Sequence, residues 1–389
     1  MVRRVEGSLG CALLLLGACC PALALRHVEQ RQLPPGWGRV INFPDVVLMS
    51  LGHSGTTALT RALWNLGLGH CNAGLDGWLE PGEAHEERVK HIRALLSIGG
   101  QADMRAYKLE PWTMRAAEDW LRTLSRHQAG CIAMSGSKLT ADYVWGWKEP
   151  QFVYLMPAMQ RAYFNHTKFL LVARDPRDIC TIPDGDAGQL KNYGDLFGDQ
   201  TDCYGWWAKV WNMVLDEYEG SSQFAIVRIE DLVAPDPGSS NSSREVLKCV
   251  LRYVGLKEQP EGIASALASI AGNMSVQLGR FAGAQALEAQ DGADKPHGFY
   301  QKPHWKPQAQ GPPHKEKQRP TLTPDEEALR DFHDYSSSYA DARGPGDGTS
   351  DIEKKVASRT DIHYAMQRLG YNPTKYALTA PSSWSVCRV

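Results

Sequence analysis

Short, unbroken apolar runs separated by stretches of helical periodicity organise this chain. Asp45 to Leu51 (DVVLMSL), Lys168 to Ala173 (KFLLVA) and Phe224 to Ile229 (FAIVRI) each read as a strand without polar alternation. Strands of that kind are buried on both faces, which is the condition of a parallel sheet covered by helices. Between them the spacing predicts helix over 56–66, where Leu59, Leu63 and Leu66 share a stripe, and over 83–98 and 111–126. A further strand is predicted over 143–147 and a helix over 150–164, opened by Pro150. Trp207, Val210, Trp211, Val214, Leu215 and Tyr218 recur at steps of three and four, an aromatic stripe that reads as core rather than as a ligand platform. A last amphipathic helix is predicted over 351–369, stopped by Gly370. Strand and helix in alternation give an α/β fold class with a central parallel sheet flanked by helices.

The segments outside this pattern set the expected boundaries. Arg3 and Arg4 precede an apolar stretch from Leu9 to Leu25 that ends in Ala22-Leu23-Ala24. It is shorter than the roughly 20 residues of a spanning helix and carries a small-x-small cleavage pattern, so residues 1–24 read as a signal peptide, with an uncleaved anchor as the alternative. Residues 25–44 form a stem, 45–371 the domain and 372–389 a tail. A stretch rich in Pro, Lys and His over 285–323 interrupts the domain as an insertion.

Three N-x-S/T sequons begin at Asn165, Asn241 and Asn273, and of nine cysteines, six (Cys71, Cys131, Cys180, Cys203, Cys249 and Cys387) lie beyond the leader. An even number beyond a signal suits disulfides in an oxidising lumen. No Cys-x-x-Cys pair points to zinc. With 42 basic and 44 acidic residues the formal charge is −2, which gives no electrostatic case for a nucleic-acid partner.

Candidate chemistry begins at Gly52-His53-Ser54-Gly55-Thr56-Thr57, placed where a buried strand turns into a helix. Backbone N–H groups and the helix dipole can hold a phosphate there, whereas the bland reading is a turn of small residues. The Gly-Lys-Ser/Thr ending of an ATPase or GTPase loop is absent, so a kinase or NTPase is disfavoured.

This loop resembles the phosphosulfate-binding loop of the P-loop sulfotransferase superfamily, carbohydrate and tyrosylprotein members among them, in all but the basic position that His53 takes. Four further segments are similar to family segments in family order: Trp145 to Pro150 (WGWKEP), Phe169 to Asp178 (FLLVARDPRD), Val227 to Leu232 (VRIEDL) and Leu369-Gly370-Tyr371. The resemblance implies a P-loop NTPase-like three-layer fold. It also implies a sulfuryl donor, 3′-phosphoadenosine 5′-phosphosulfate (PAPS), with no metal. The acceptor it implies is a hydroxyl on a glycan or a tyrosine-containing protein. With the leader, sequons and cysteines, the expected place is the secretory pathway, in the Golgi lumen, or secreted where the signal is cleaved, with membrane attachment through the N-terminal segment where it is not.

The same resemblance distributes the roles. Gly52, His53, Ser54, Gly55, Thr56 and Thr57 would cradle the 5′-phosphosulfate, and Arg174 would clamp the 3′-phosphate. Thr181 would stand in for a family serine whose place is taken by Ile182. Outside the resemblance, the basic insertion with Lys306 reads either as a solvated linker or as a flap over an anionic ligand. Lys148 would be the cation beside the sulfuryl group, and His53 a second participant when protonated. Glu80 is the chosen base, among Asp76, Glu83 and His70. The alternative reading is a catalytically decayed lumenal protein of the same fold that holds a nucleotide or glycan without turnover.

Overall fold

A computed structural model describes residues 43–70, 83–97, 109, 111–134, 143–163, 166–180, 202–233, 243–274, 354, 356, 358–374, 378–379 and 385–387. Four strands, β1 (Val46–Met49), β2 (Gly146–Lys148), β3 (Lys168–Ala173) and β4 (Phe224–Arg228), form one sheet in the order β2-β1-β3-β4. Every pairing is parallel: Leu48 lies opposite both Lys148 and Leu170, and Leu171 opposite Ile226.

The apolar runs are continuous because each strand has helices on both sides. On one face Val46, Leu48, Leu170, Val172, Ala225 and Val227 pack into a core with α1 (Thr56–Asn65), α8 (Ser243–Val254) and α9 (260–274). On the other, Trp147, the register partner of Val47, meets Tyr163 of α4 (Met156–Tyr163), and Phe224 meets Tyr218 of α6 (Cys203–Tyr218). The result is the expected three-layer α/β arrangement. The tryptophan stripe of α6 is buried, in agreement with its reading as core.

The remaining helices are α2 (Glu83–Ser97), α3 (Pro111–Met134), the short α5 (Pro176–Ile179) and α7 (Ile229–Val233), and α10 (Thr360–Arg368). Among the described residues no helix is long and apolar enough to cross a membrane.

Three elements differ from the sequence pattern. The stretch predicted as one helix over 150–164 starts as a 3₁₀ segment, Pro150–Leu155, and becomes α-helical only at Met156, beside Pro157, whose missing N–H cannot join the ladder. The helix predicted over 351–369 is interrupted, because Arg359 is extended (φ −117°, ψ 114°) and its guanidinium is held by Asp202 and Asp361. α3 runs to Met134, beyond the predicted end at 126.

Two disulfides fasten the periphery, Cys180–Cys203 between α5 and α6 and Cys249–Cys387 between α8 and the C-terminal stretch. Cys131 is also disulfide-bonded.

Candidate functional site

β1 has β2 on one side and β3 on the other, so the chain leaves its carboxyl end at the point where strand order reverses. Ligands of open α/β sheets bind in that crevice. There the backbone turns through His53 (φ 62°) and Gly55 (φ 86°), both left-handed, with Ser54 of ordinary hand between them. Alternation of hand is what turns successive N–H groups toward one concavity. Gly55 is required on two counts. A Cβ would lie 2.8 Å from Ile229 Cγ1 and 3.0 Å from Met274 Sδ, and the left-handed conformation disfavours any other residue. α1 starts at Thr56, immediately after this turn.

The loop is held from behind. Ser54 is fully buried, and its hydroxyl donates to Leu51 O at 2.8 Å, so the side chain shapes the loop from inside. Thr60 Oγ1 donates to Thr56 O at 2.7 Å. The Ser50 hydroxyl donates to Val172 O, which ties the end of β1 to β3 beyond the ladder. Arg174, fully buried just past β3, donates from Nη1 to His53 O at 2.8 Å and lies 3.6 Å through Nε from Asp178. Its guanidinium is therefore directed at the loop backbone, and this contact helps to hold His53 in its unusual conformation. The His53 side chain is exposed.

Lys148 ends β2 in register with Leu48 and is partly buried. Burial lowers its ammonium pKa from the ordinary lysine value; the Glu149 carboxylate draws it back up, and the guanidiniums of Arg88 and Arg61 push it further down. Glu149 is buried and paired with Arg88 of α2, Nε to Oε2 at 2.6 Å. Arg61 of α1 donates from Nη1 to Asn273 Oδ1 at 3.3 Å. Lys148, Arg88 and Arg61 are thus close enough to act on one another's charge, with the Glu149 carboxylate beside them.

Arg61 and Arg88 were not foreseen from the sequence. Arg61 follows Thr57 by four residues, one helical turn, and that spacing could have flagged it. Arg88 has no local signal, since only folding brings α2 to β2.

The later segments build a buried polar frame beside this crevice. Asp175 caps α5: its carboxylate accepts from Arg177 N–H and from the Arg177 guanidinium at 2.6 and 2.9 Å, and its own N–H donates to Glu230 Oε1 at 2.9 Å. Glu230 Oε2 accepts from the Tyr371 hydroxyl at 2.9 Å. Burial raises the Tyr371 pKa well above the phenol value, so the phenol remains a donor. Arg228 pairs through two nitrogens with Asp231 at 2.8 Å and donates to Gly370 O and Thr379 O. These residues lock the ends of β3 and β4 to the C-terminal stretch.

Of the base candidates only His70 has a described side chain. It stacks on Trp64 at 4.1 Å, beyond the far end of α1, and a ten-residue helix is about 15 Å long, which removes it from the crevice. Asp76, Glu80, Thr181 and Lys306 lie outside the described residues, as does the side chain of Glu83. The amide of Asn273 donates to Ser269 O at 2.7 Å while its oxygen accepts from Arg61. Among the described residues no group of three or more His, Cys, Asp or Glu is placed to hold a metal ion.

No family model and no curated protein matches the chain. Among solved structures it is similar to the sulfotransferase domain of the Synechococcus PCC 7002 olefin synthase, at 19% identity and a TM-score of 0.31 over 57% of this chain and 76% of that one. It is similar also to the sulfotransferase domain of the curacin biosynthetic pathway, at 15% identity and 0.32 over 58% and 77%. A third similar structure is the sulfotransferase STF9 from Mycobacterium avium, at 12% identity and 0.32 over 66% and 70%.

Proposed function

We propose that this chain is a sulfotransferase that moves the sulfuryl group of PAPS to a hydroxyl of a glycan or a protein tyrosine in the secretory pathway, in the Golgi lumen. The observation that carries the reading is the joining of a left-handed phosphate loop, at a strand-order reversal, to a cation on the neighbouring strand. The loop motif and Lys148 are 91 residues apart in sequence, and β1–β2 pairing makes them neighbours. What supports a phosphosulfate ligand is a left-handed loop at a helix start with Lys148 on the adjoining strand and Arg61 and Arg88 acting on that lysine.

PAPS, when bound, supplies the activated sulfuryl group. The loop Gly52 to Thr57 grips its phosphate through backbone N–H groups and the Thr56 and Thr57 hydroxyls. Lys148 presents a cation whose low-dielectric surroundings strengthen its pull on charge that develops toward the leaving phosphate. In this reading Arg174 clamps the 3′-phosphate and also keeps the loop in shape through His53 O, with Asp178 beside it. In this reading Glu80 takes the acceptor's hydroxyl proton, and Thr181 and Lys306 complete the nucleotide site. Electrostatic stabilisation and positioning can carry this class of transfer without a metal.

The test is calorimetric titration with 3′-phosphoadenosine 5′-phosphate, followed by labelling of mixed glycans and of tyrosine peptides from sulfur-labelled donor. Saturable binding and acceptor-dependent label are expected. Binding without label would leave the decayed binder, the alternative that exposed His53 in the loop's basic position favours. No binding at all would overturn the donor assignment.

A further inference from the structure

Beyond the amino end of β3, on the side of the sheet away from the phosphate loop, lies a cleft of about 350 Å³ whose wall includes Cys249 and Cys387. Their disulfide is therefore exposed to small molecules that enter it. Two cations face the same space. Lys168 is fixed there by donation from Nζ to Tyr253 O at 2.6 Å and by the Tyr253 ring, whose centroid is 5.3 Å from Nζ. Arg252, one turn beyond Cys249 on α8, brings Nη2 to 3.4 Å from Cys249 Sγ. Glu258 lies 3.9 Å from Arg252 Nε, beside a guanidinium that is 64% exposed.

We propose that this cleft is a thiol–disulfide exchange site for small anionic thiols, with Cys387 as the sulfur attacked. Exchange depends on which sulfur can be reached and on how well the other leaves as thiolate. Both criteria select the same direction. Cys249 is 7% exposed and belongs to the apolar core, whereas Cys387 is packed only against the edge of that core. Arg252 Nη2 lies against Cys249 Sγ, so the charge on a departing Cys249 thiolate is stabilised. The incoming thiolate, its proton already given to solvent, forms a bond to Cys387 Sγ. The Cys387–Cys249 bond breaks, and its electron pair leaves on Cys249. One disulfide is consumed and one formed, with no net oxidation. Lys168 and Arg252 favour an incoming thiol that carries carboxylates.

Exchange has a mechanical consequence. Cys387 is the end of a stretch that closes the outer edge of β4: Ser385 bridges Ile226 in parallel, and Val386 N–H donates to Ile226 O at 3.0 Å. A mixed disulfide on Cys387 removes the covalent tie between that stretch and α8.

The full-length oxidised chain, incubated with a large excess of glutathione or of cysteamine, acid-quenched at intervals and alkylated, reports the adduct site by peptide mass. Each rate is divided by that of the same thiol on oxidised 2-mercaptoethanol. The anionic thiol is expected to win by roughly tenfold or more, the scale of electrostatic focusing in a charged cleft. The adduct should fall on Cys387, with Cys249 free. Arg252→Gln, at an exposed position, should slow the opening and shrink the preference, and Arg252→Lys should restore part of it. Cys180–Cys203, whose residues do not line this cleft, is the internal reference and should open later. A preference below about threefold, which screening at a surface would allow, overturns the proposal. So do an adduct on Cys249, earlier opening of Cys180–Cys203, and no opening by either thiol.

Discussion

Lys148 is held where its charge is costly. Burial and two guanidiniums lower its pKa, so the folded chain binds that proton less tightly than the unfolded chain does. The charged form therefore destabilises the fold below the folded-state pKa, and the cost fades as pH rises from there toward lysine's ordinary value. Lys148→Met should raise the urea midpoint at neutral pH, and the gain should shrink across that alkaline window. In a donor-dependent labelling assay the same variant should lose about 10²- to 10³-fold in kcat, the usual effect of losing one transition-state donor. A gain in stability together with a loss of turnover is the signature of a residue kept for chemistry. His53 makes the converse case. Its left-handed backbone costs roughly 1–2 kcal/mol for any residue with a Cβ. His53→Gly should stabilise the chain by up to that amount while it removes the imidazole, and unchanged turnover in that variant would assign His53 no part in the reaction.

At the scale of elements, the strand–loop–helix unit depends on two separable properties of Gly55, its hand and its closeness to Ile229 and Met274. Gly220, at the end of α6, is left-handed too (φ 88°), but a Cβ there would meet nothing within 4 Å. Gly220→Ala should cost only the backbone penalty of roughly 1–2 kcal/mol. Gly55→Ala should cost more in thermal unfolding and should weaken nucleotide binding besides; equal losses would mean that crowding plays no part. The strands were legible because burial on both faces leaves an unbroken apolar run, and β3 falls where the pattern of Lys168 to Ala173 put it. The loop was legible because its small residues follow such a run. Helix ends were less so, since Arg359 is pulled out of helical conformation by Asp202, a residue far away in sequence. The Arg88–Glu149 pair and the Glu230–Tyr371 bond were hidden for the same reason, because each joins elements that only the sheet order brings together.

At the scale of the whole molecule, the disulfides Cys180–Cys203 and Cys249–Cys387 fasten what the sheet does not. Cys180–Cys203 spans 23 residues and Cys249–Cys387 spans 138. On loop entropy alone these closures stabilise the fold by about 3 and about 5 kcal/mol respectively. Their sum is of the order of the entire stability of an ordinary domain, roughly 5–15 kcal/mol. A chain that owed that much of its stability to disulfides would suit a compartment where thiols are kept oxidised. The serine variant of Cys249 and Cys387 should therefore lose more stability in urea unfolding than that of Cys180 and Cys203. The protein made in a reducing cytosol should accumulate poorly, and the same chain directed to an oxidising lumen should fold. Equal urea midpoints for the oxidised and the fully reduced chain would contradict the loop-entropy account, and with it this part of the case for a lumenal protein.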